Sequence, residues 1–321
     1  MPGPLYSIVI PVHNEEADVQ ELASRIDAYC PGEYEIIFID DGSVDRTWDA
    51  LRKIHSSGKV RLIRFRRNFG KAAALMAGFA ACRGDRIFTM DGDLQDDPAE
   101  MPRFVAKLEE GFGLVCGWKK RRYDPFHKVI ASRIFNFVVR KGSGLELHDM
   151  NCGFKLFSGD AARAIRIYGE LHRFIPLFAA YKGFPVSEIE VQHHARQHGQ
   201  SKYGMSRLVK GFVDFFTALL LTRFAGRPSH GFGWMAILSL VHALALFVSI
   251  PAIALLITGF QADSLAIGLI LPFLYLAAFG SAALGIAAIG LVVAGWVAEL
   301  VVAPHLANSP ASQYHVEEQL D

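Results

Sequence analysis

The sequence predicts an α/β fold with a mostly parallel sheet, followed by an apolar C-terminal region. Through residues 6–90, short β-branched runs alternate with amphipathic stretches of helical spacing, which is typical of a parallel sheet covered by helices on both faces. Polar motifs follow the ends of these runs, where such sheets collect functional residues. Residues 1–227 hold all 33 basic residues and 27 of the 32 acids, so a basic domain precedes an apolar tail.

The elements follow in order along the chain. Apolar, β-branched runs predict strands over residues 6–12, 34–43 with its closing turn, 60–65, 85–90, 113–118 and 186–196. Helical spacing predicts helices over residues 14–30, 45–57, 70–82, 126–144 and 204–226. We expect Asn14 to cap the first of these helices.

The tail predicts a transmembrane hairpin. Residues 232–260 carry no Lys, Arg, Asp or Glu, and residues 265–303 carry only Glu299, so each run exceeds the roughly 20 residues that cross a bilayer. Three spans and a buried core helix pair are the alternatives. Lys210, Arg223 and Arg227 precede the first span, which places that side in the cytoplasm. We therefore expect a multi-pass protein of the plasma (inner) membrane with a cytoplasmic α/β domain.

The apolar stretch 204–226 carries spaced cations, which suits a helix lying in the membrane interface; ordinary packing against the sheet is the alternative. The predicted organisation is an α/β domain over 1–203, an interfacial helix and linker over 204–231, two transmembrane helices over 232–303 and a cytoplasmic tail over 304–321.

Several classes of site are disfavoured. The first predicted strand is not followed by G-x-G-x-x-G, and the chain has no G-x-x-x-x-G-K-[ST] motif, so neither a classical dinucleotide fold nor a P-loop enzyme is expected. The four cysteines are scattered without a C-x-x-C pair, as expected for reduced, packed thiols. His193, His194 and His198 have no nearby fourth ligand, so zinc is not expected.

The acidic stretch MDGDLQDDP, residues 90–98, follows a predicted strand. Asp91 and Asp93, two residues apart, can face the same way and hold a hard divalent cation, with Gln95 as a further oxygen ligand. Asp97 followed by Pro98 predicts a helix start. Asp96 has no assignment, and the loop lacks the glycine and closing glutamate of an EF-hand.

The chain contains, in order, the motifs IPVHNEE, IDDGSVDRT, RNFGKAAALMAG, MDGDLQDDP, NCGFKLF, RFIP and HHARQHGQSKYGMSRL. Together they resemble the family 2 glycosyltransferases, and within them the polyprenyl-phosphate group that contains dolichol-phosphate mannose synthases and bactoprenol glucosyltransferases. The resemblance covers about residues 6–300. Two departures are Gly92, where relatives usually carry Ala, and His13, where Tyr or Phe is common.

The resemblance implies a GT-A type nucleotide-sugar-binding domain that acts as an inverting, metal-dependent glycosyltransferase. It would move one sugar from a UDP- or GDP-linked donor to a polyprenyl phosphate, such as undecaprenyl phosphate, at the cytoplasmic leaflet. Mg²⁺ or Mn²⁺ would be the cofactor, held by Asp91, Asp93 and Gln95. The implied partners are the donor, the lipid acceptor and the bilayer, with no nucleic acid; self-association through small residues of the tail is an option.

The resemblance also assigns residues to the site. The implied nucleotide-sugar-binding residues are Pro11, Asn14, Glu15, Asp40, Asp41, Lys71, Asp91 and Gly92. The implied acceptor-phosphate residues are Lys119, Arg122, Lys128, Arg133 and Ser201. Catalytic roles fall to Asp93, Asp149, Arg196 and Lys202. The acceptor phosphate is already anionic near neutral pH, so it needs cations to steer it more than a base.

Two other functions are weighed against this one. A processive polysaccharide synthase of the same superfamily would carry a Q-x-x-R-W motif and more spans, which the sequence lacks. A non-catalytic membrane adaptor would be expected to have lost some of the acidic and basic motifs, which are intact here. The sugar, the choice between UDP and GDP, and the prenyl length are left open.

Overall fold

A computed structural model describes residues 5–55, 58–120, 126–194, 206–223 and 316–320, with single helical positions between 241 and 301. The side chains of residues 126–133, 206–209 and 316–320 are outside this description. The chain divides into two compact units, one formed by Met1–Thr222 with Pro304–Asp321 and the other by Arg223–Ala303.

One sheet organises the first unit. Among the described residues its strands are β1 Tyr6–Val12, β2 Tyr34–Asp40, β3 Val60–Phe65, β4 Arg86–Thr89, β5 Leu114–Trp118, β6 Lys155–Ser158, β7 Val186–Glu190 and β8 Val316–Leu320. They lie in the order β7-β5-β6-β4-β1-β2-β3-β8. β1 pairs in parallel with β2 and β4, β2 with β3, and β5 with β7. The predicted mostly parallel α/β sheet is confirmed.

Two strands run against this direction. β6 is antiparallel to both β4 and β5, and β8 is antiparallel to β3 at the edge of the sheet. Neither strand was predicted. The β6 segment is only four residues long. The β8 segment has the sequence of a polar tail, and no local pattern predicts it, because its position beside β3 depends on long-range pairing.

Helices cover both faces of the sheet. They are α1 Val19–Tyr29, α2 Thr47–His55, α3 Lys71–Ala81, α4 Met101–Glu109, α5 Phe126–Ser143, α6 Gly159–Ala164, α7 Ile175–Tyr181 and α8 Ser206–Thr222. Successive strand residues point to opposite faces. Accordingly, Val9 packs with α3 on one face and Ile8 and Ile10 pack with α1 on the other. α3 lies so close to the sheet that a Cβ at Gly78 would approach Val9 Cγ1 to 2.2 Å.

The predicted cap of the first helix is wrong. α1 begins at Val19 after Asp18, and Asn14 lies in a left-handed conformation with φ 59°. The Asn14 side chain instead accepts a hydrogen bond from Val44 N at 2.9 Å. The residues after β1 therefore form a loop that is tied to the turn after β2, and the helix starts later than the sequence pattern indicates.

α5 and α8 pack side by side. Phe135 and Phe212 meet edge to face at 5.5 Å, and a Cβ at Gly142 would lie 2.8 Å from Phe215 Cζ. The outward-facing residues Ile134 and Phe137 of α5 are exposed, as are Val213 and Phe216 of α8. The prediction of a helix within 204–226 is confirmed.

The predicted hairpin over 232–260 and 265–303 lies almost entirely outside the described residues, and the single positions that are described there are helical. Within the described part of the chain, no helix is both long enough and apolar enough to cross a membrane.

Candidate active site

The loops after β1 and β2 are joined by hydrogen bonds at the carboxyl edge of the sheet. His13 Nδ1 lies 2.9 Å from Asp41 O, Asn14 N donates to Ser43 Oγ at 3.0 Å, and Glu15 N donates to Thr47 Oγ1 at 2.9 Å. Pro11 lies near the end of β1, opposite Ile39 in the register. The structure thus brings the predicted nucleotide-binding residues of both loops together.

The two aspartates of the DDGS turn accept hydrogen bonds from backbone N–H groups. Asp40 is fully buried and accepts from Ser43 N at 2.9 Å. Asp41 accepts from Phe69 N at 2.7 Å and from Gly70 N at 2.9 Å. Burial raises the pKa of Asp41, and this effect outweighs the two backbone hydrogen bonds, which lower it. Both residues have structural roles, and their contact with a nucleotide remains a prediction.

Glycine is required inside this turn. Gly42 has φ 68°, and a Cβ there would lie 2.4 Å from the backbone carbon of Arg67. The turn therefore fits directly against the loop that leads into α3. Together with the Asp41 hydrogen bonds, this contact fixes where α3 begins.

Lys71 is the first residue of α3, and its ammonium group contacts Asp91 Oδ1. A cation at a helix N-terminus is unfavourable with the helix dipole, so an anionic partner is expected. In the structure that partner is a carboxylate. The two side chains are about equally accessible, 30% for Lys71 and 31% for Asp91.

Among the described residues, three lysines lie around Asp91. Burial by itself would raise the pKa of Asp91, but Lys71 and then Lys119 and Lys155 outweigh it and hold that pKa well below its usual range. Asp91 is therefore ionised throughout the physiological range. Its carboxylate is covered by Gly153, where a Cβ would lie 2.6 Å from both oxygens.

Asp96, which the sequence left unassigned, forms an ion pair with Lys119. Lys119 Nζ lies 2.7 Å from Asp96 Oδ1, with the carboxylate fully buried and the lysine 11% exposed. Burial would lower the pKa of Lys119, but Asp96 and Asp91 raise it above its ordinary value. The ammonium group of Lys119 therefore pairs with a carboxylate of the acidic loop. The prediction that Lys119 belongs to a basic patch that contacts the acceptor phosphate is not supported by this position.

Asp93 and Gln95 link this loop to the segment after β7. Asp93 is buried, and Asp93 Oδ1 accepts from Gln95 N at 3.3 Å. His194 N donates to Gln95 O at 3.0 Å, and Gln95 Nε2 donates to His194 O at 3.4 Å. Asp96 and His193 form a β-bridge. The acidic loop is therefore held by the segment that leads into residues 195–205.

The helix start predicted at Asp97 is confirmed. The Asp97 side chain accepts from Ala99 N at 3.0 Å, and a 3₁₀ turn over Pro98–Glu100 leads into α4. Its second carboxylate oxygen lies 3.0 Å from His194 Nε2. At Gly92, a Cβ would lie 2.7 Å from Val12 Cγ1, so an alanine here would require Val12 to shift.

Asp149 lies in a turn before β6. It is buried, and its Oδ1 accepts from Asn151 N at 3.3 Å. Beside it, the His148 ring stacks on Trp118 with centroids 4.1 Å apart. A contact of Asp149 with a sugar or an acceptor phosphate remains a prediction.

Some predicted site residues cannot be placed. Arg122, Arg196, Ser201 and Lys202 lie outside the described residues, as does His198. Lys128 and Arg133 lie on α5, among the residues whose side chains are not described.

Two residues near Asp91 were missed from sequence. Lys155 is buried at the start of β6, and its ammonium group donates to Cys152 O. His172 is buried, and its Nδ1 has no hydrogen-bond partner among the described residues. Burial, reinforced by Lys71, lowers the pKa of His172. The motif NCGFKLF contains Lys155, and the motif RFIP begins directly after His172. Neither motif indicated that these two side chains lie near Asp91.

The oxygen donors of the acidic loop fit a hard divalent cation. Over the described ranges, no group of three or more His, Cys, Asp or Glu side chains could hold a metal ion by itself. Mg²⁺ and Mn²⁺ sites often use one or two carboxylates and complete the shell with phosphate and water oxygens. Asp91 and Asp93, with the amide oxygen of Gln95, suit that arrangement.

Comparisons with known proteins identify the family to which this chain belongs. Residues 7–166 match the model of the glycosyl transferase family 2. The chain belongs to this family, and it is an enzyme. The family resemblance inferred from the motifs is confirmed.

Curated relatives carry specific activities in their names. The chain is 39% identical over 236 residues to a dodecaprenyl-phosphate galacturonate synthase of Rhizobium johnstonii, covering 71% of this chain and 70% of that one. It is 36% identical over 247 residues to an undecaprenyl-phosphate 4-deoxy-4-formamido-L-arabinose transferase of Pseudomonas fluorescens, covering 75% and 73%.

Solved structures share the GT-A-like fold. Glucosyl-3-phosphoglycerate synthase of Mycobacterium tuberculosis, in complex with Mn²⁺, UDP-glucose and phosphoglyceric acid, has a TM-score of 0.54 at 21% identity, covering 68% of this chain and 80% of that one. The same enzyme with phosphoglyceric acid alone has a TM-score of 0.53 at 22% identity, with the same coverage.

Proposed function

We propose that this protein is an inverting glycosyltransferase that moves one sugar from a nucleotide sugar to a polyprenyl phosphate such as undecaprenyl phosphate, with Mg²⁺ or Mn²⁺ as cofactor. The observation that carries the proposal is the acidic loop after β4, in which Asp91 contacts Lys71 at the start of α3 and the buried Asp93 lies two residues further along the chain. Asp41, in the turn after β2, accepts hydrogen bonds from the backbone just before Lys71. The names of the relatives support the class of acceptor.

The donor would bind across the loops after β1, β2 and β4. Its nucleotide would lie against Pro11, Asn14 and Glu15, and its diphosphate near Lys71. A divalent cation on Asp91, Asp93 and Gln95 would neutralise the charge that grows on the leaving diphosphate.

The acceptor oxygen is already anionic, so the protein needs to position it and to lower its repulsion from the donor. Arg122, Lys128, Arg133 and Ser201 are the proposed phosphate contacts, with Arg196 and Lys202 acting near the reacting centre; Arg suits a bidentate grip on phosphate. Asp149 is proposed to orient the sugar or the acceptor. Lys119 is not part of this set, since its ammonium group is paired with Asp96.

The exposed apolar face of α5 and α8 supports a membrane location. Ile134, Phe137, Val213 and Phe216 are each about half exposed, and such a face, with basic residues nearby, suits the bilayer interface. We propose that these helices lie in the cytoplasmic leaflet and that residues 232–303 form a transmembrane hairpin.

The division of the chain into units supports an even number of spans. Residues before 223 and after 303 belong to the same compact unit. If the segment between them crosses the bilayer, it crosses an even number of times. Two helices satisfy this condition and three do not.

The experiment is a transfer assay with purified full-length protein, undecaprenyl phosphate, Mg²⁺ or Mn²⁺, and a panel of labelled UDP- and GDP-sugars. We expect label in the lipid fraction with at least one donor. No transfer with any donor, together with retained nucleotide binding, would indicate the adaptor alternative. Repeated addition of sugar would indicate a processive synthase.

Asp93→Asn tests the metal assignment in the same assay. We expect turnover to fall by about 100-fold or more, as for loss of a group that stabilises transition-state charge. Asp160→Asn is the matched control, because Asp160 lies exposed on the surface of α6 and, among the described residues, forms its ion pair with Arg163, three positions further along the same helix. Equal activity in the two variants would exclude a metal-holding role for Asp93.

A further inference from the structure

We propose that Glu188 is a positioning residue for sugar transfer: it holds His148 against the sheet and thereby fixes the place of Asp149, the next residue along the chain. This inference rests on the proposed function, which gives Asp149 the task of orienting the sugar or the acceptor. It deepens that function by assigning a task to a residue of β7 that does not itself contact a substrate.

The contact between Glu188 and His148 has two parts. His148 N donates to Glu188 Oε2 at 2.8 Å, and the ring atom His148 Nδ1 contacts Glu188 Oε1. Because an ionised carboxylate only accepts hydrogen bonds, Nδ1 carries the proton in this contact. One carboxylate thus holds both the backbone and the ring of a single residue, which fixes the direction in which the chain enters Asp149.

A ring stack gives His148 a third point of attachment. Its ring lies nearly parallel to that of Trp118, with centroids 4.1 Å apart and an interplanar angle of 16°. Trp118 is the last residue of β5, and β5 pairs in parallel with β7 so that Cys116 lies opposite Glu188. Alternate residues of a strand share a face. Glu188 and Trp118 therefore lie on the same face of two neighbouring strands, and His148 is attached to both strands.

The other end of the turn is attached next to Asp91. A Cβ at Gly153 would lie 2.6 Å from both Asp91 oxygens, and Gly153 O accepts from Thr89 Oγ1 at 2.8 Å. Asp149 therefore lies in a short segment whose two ends, His148 and Gly153, are both held by the sheet. This segment connects the contact with Glu188 to the acidic loop.

The fold around this segment does not depend on Glu188. Leu147 and Met150, which flank the pair His148 and Asp149, are 4% and 1% exposed and belong to the hydrophobic core. By contrast, the side chain of His148 is 48% exposed. Loss of the Glu188 contact should therefore leave the turn folded and let Asp149 shift by a small distance. At a reacting centre, a shift of this kind is costly in turnover.

The first test compares Glu188→Ala with Glu190→Ala in the transfer assay, using full-length protein, undecaprenyl phosphate and the labelled donor that the panel identifies. Glu190 is the matched control, because it follows two residues later on β7 and forms an exposed ion pair with Lys120 at 3.0 Å. For Glu188→Ala we expect kcat to fall about tenfold or more while the donor KM stays near that of the wild type. Glu190→Ala should change neither constant. Equal kcat in the two variants, or a rise in KM alone, would overturn the proposal.

Conservative variants separate position from charge. Glu188→Gln can keep both contacts, since its amide oxygen accepts from His148 N and its amide nitrogen donates to Nδ1 of the other imidazole tautomer. It should retain most of the wild-type kcat. Glu188→Asp keeps the charge but is one methylene shorter, and it should lose activity. The reverse order of these two variants would show that charge matters instead of position, and would overturn the proposal.

A double-variant cycle with Asp149→Asn tests whether Glu188 acts through Asp149. If it does, adding Glu188→Ala to Asp149→Asn should lower kcat by less than about twofold, because residues that act as a unit have non-additive effects. Losses that multiply would indicate an independent structural effect and would overturn the proposal. Wild-type turnover in Asp149→Asn would do the same, because Glu188 would then have no residue through which to act.

His148→Ala keeps the test valid if Glu188→Ala fails to fold. It removes the ring and its stack on Trp118 but leaves the backbone N–H that Glu188 accepts, so kcat should fall while the urea midpoint stays near that of the wild type. Unchanged kcat in His148→Ala would overturn the proposal. Failure of the proposed function has a different result, since the wild type would then transfer no sugar with any donor, and this inference would fail with it.

Discussion

Asp96 and Lys119 form a buried ion pair, 2.7 Å from carboxylate oxygen to ammonium nitrogen, at the base of the acidic loop. The pair joins the residue after β5 to the loop after β4, and Asp96 Oδ2 also accepts from Asp91 N at 3.3 Å. The loop that carries Asp91 and Asp93 is thus anchored by the buried Asp96–Lys119 ion pair, whose two charges neutralise each other rather than bind a substrate.

Removal of Lys119 should therefore destabilise the fold. Lys119→Met leaves Asp96 buried without its cation, and we expect the free energy of unfolding to fall by about 3–5 kcal/mol. Urea unfolding of the purified protein measures this change. Lys120→Met is the matched control, since Lys120 forms an exposed pair with Glu190 and should cost about 0–1 kcal/mol. A similar small cost for Lys119→Met would contradict the structural role.

Gly153→Ala should impair activity more than stability. The added methyl group would lie 2.6 Å from the Asp91 carboxylate, so Asp91 must move away from its present position. We expect turnover to fall by about tenfold or more, since small misplacements at a reacting centre are costly, with a modest shift in the thermal midpoint. Gly280→Ala is the control, since a Cβ there meets no atom of the described residues within 4 Å. Unchanged turnover in Gly153→Ala would show that Asp91 position is not critical.

The cysteines predict an alkaline loss of stability. Burial raises the pKa of Cys116 and of Cys152 to about 12, above the ordinary thiol value of about 8.5. Because the folded-state pKa is raised, the folded state retains these protons while the unfolded chain ionises. Stability is therefore full below about pH 8.5 and is lost as the pH rises toward 12.

Urea midpoints measured from pH 8 to pH 11 check this, with Cys116→Ala/Cys152→Ser as the comparison. The wild type should lose more stability than the double variant over that range. Iodoacetamide should also modify Cys116 and Cys152 slowly at pH 8 in the folded protein and rapidly in urea. Rapid modification of the folded protein would contradict their burial.

Much of the sheet could be predicted because its strands carry their own signal. Residues 6–12 and 34–40 are β-branched runs that end in polar motifs, and both proved to be central strands. The mostly parallel order follows from their alternation with helices. By contrast, β6 and β8 depend on partners far away in sequence, and no local pattern reveals antiparallel pairing to β4 or β3.

The sequence indicated which loops would form the candidate site but few of the contacts within it. The metal-binding role of Asp91 and Asp93, inferred from spacing and from the accompanying motifs, stays a prediction, whereas the cap at Asp97, indicated by its proline, is confirmed. The roles of Asp41 and Lys119 were not predicted, because a carboxylate that anchors backbone and a lysine that neutralises a buried acid resemble ligand-binding residues in sequence. Lys155 and His172 gave no signal, since burial beside a charge is a property of the folded chain.

The pairing of β8 with β3 has a practical consequence. Residues 316–320 cover the outer edge of β3, which would otherwise present unpaired backbone groups that can pair with another chain. Proteolytic clipping of the last residues should therefore promote self-association, visible as growth in light scattering on storage. Intact protein in the same buffer is the reference, and equal scattering by the clipped form would contradict this.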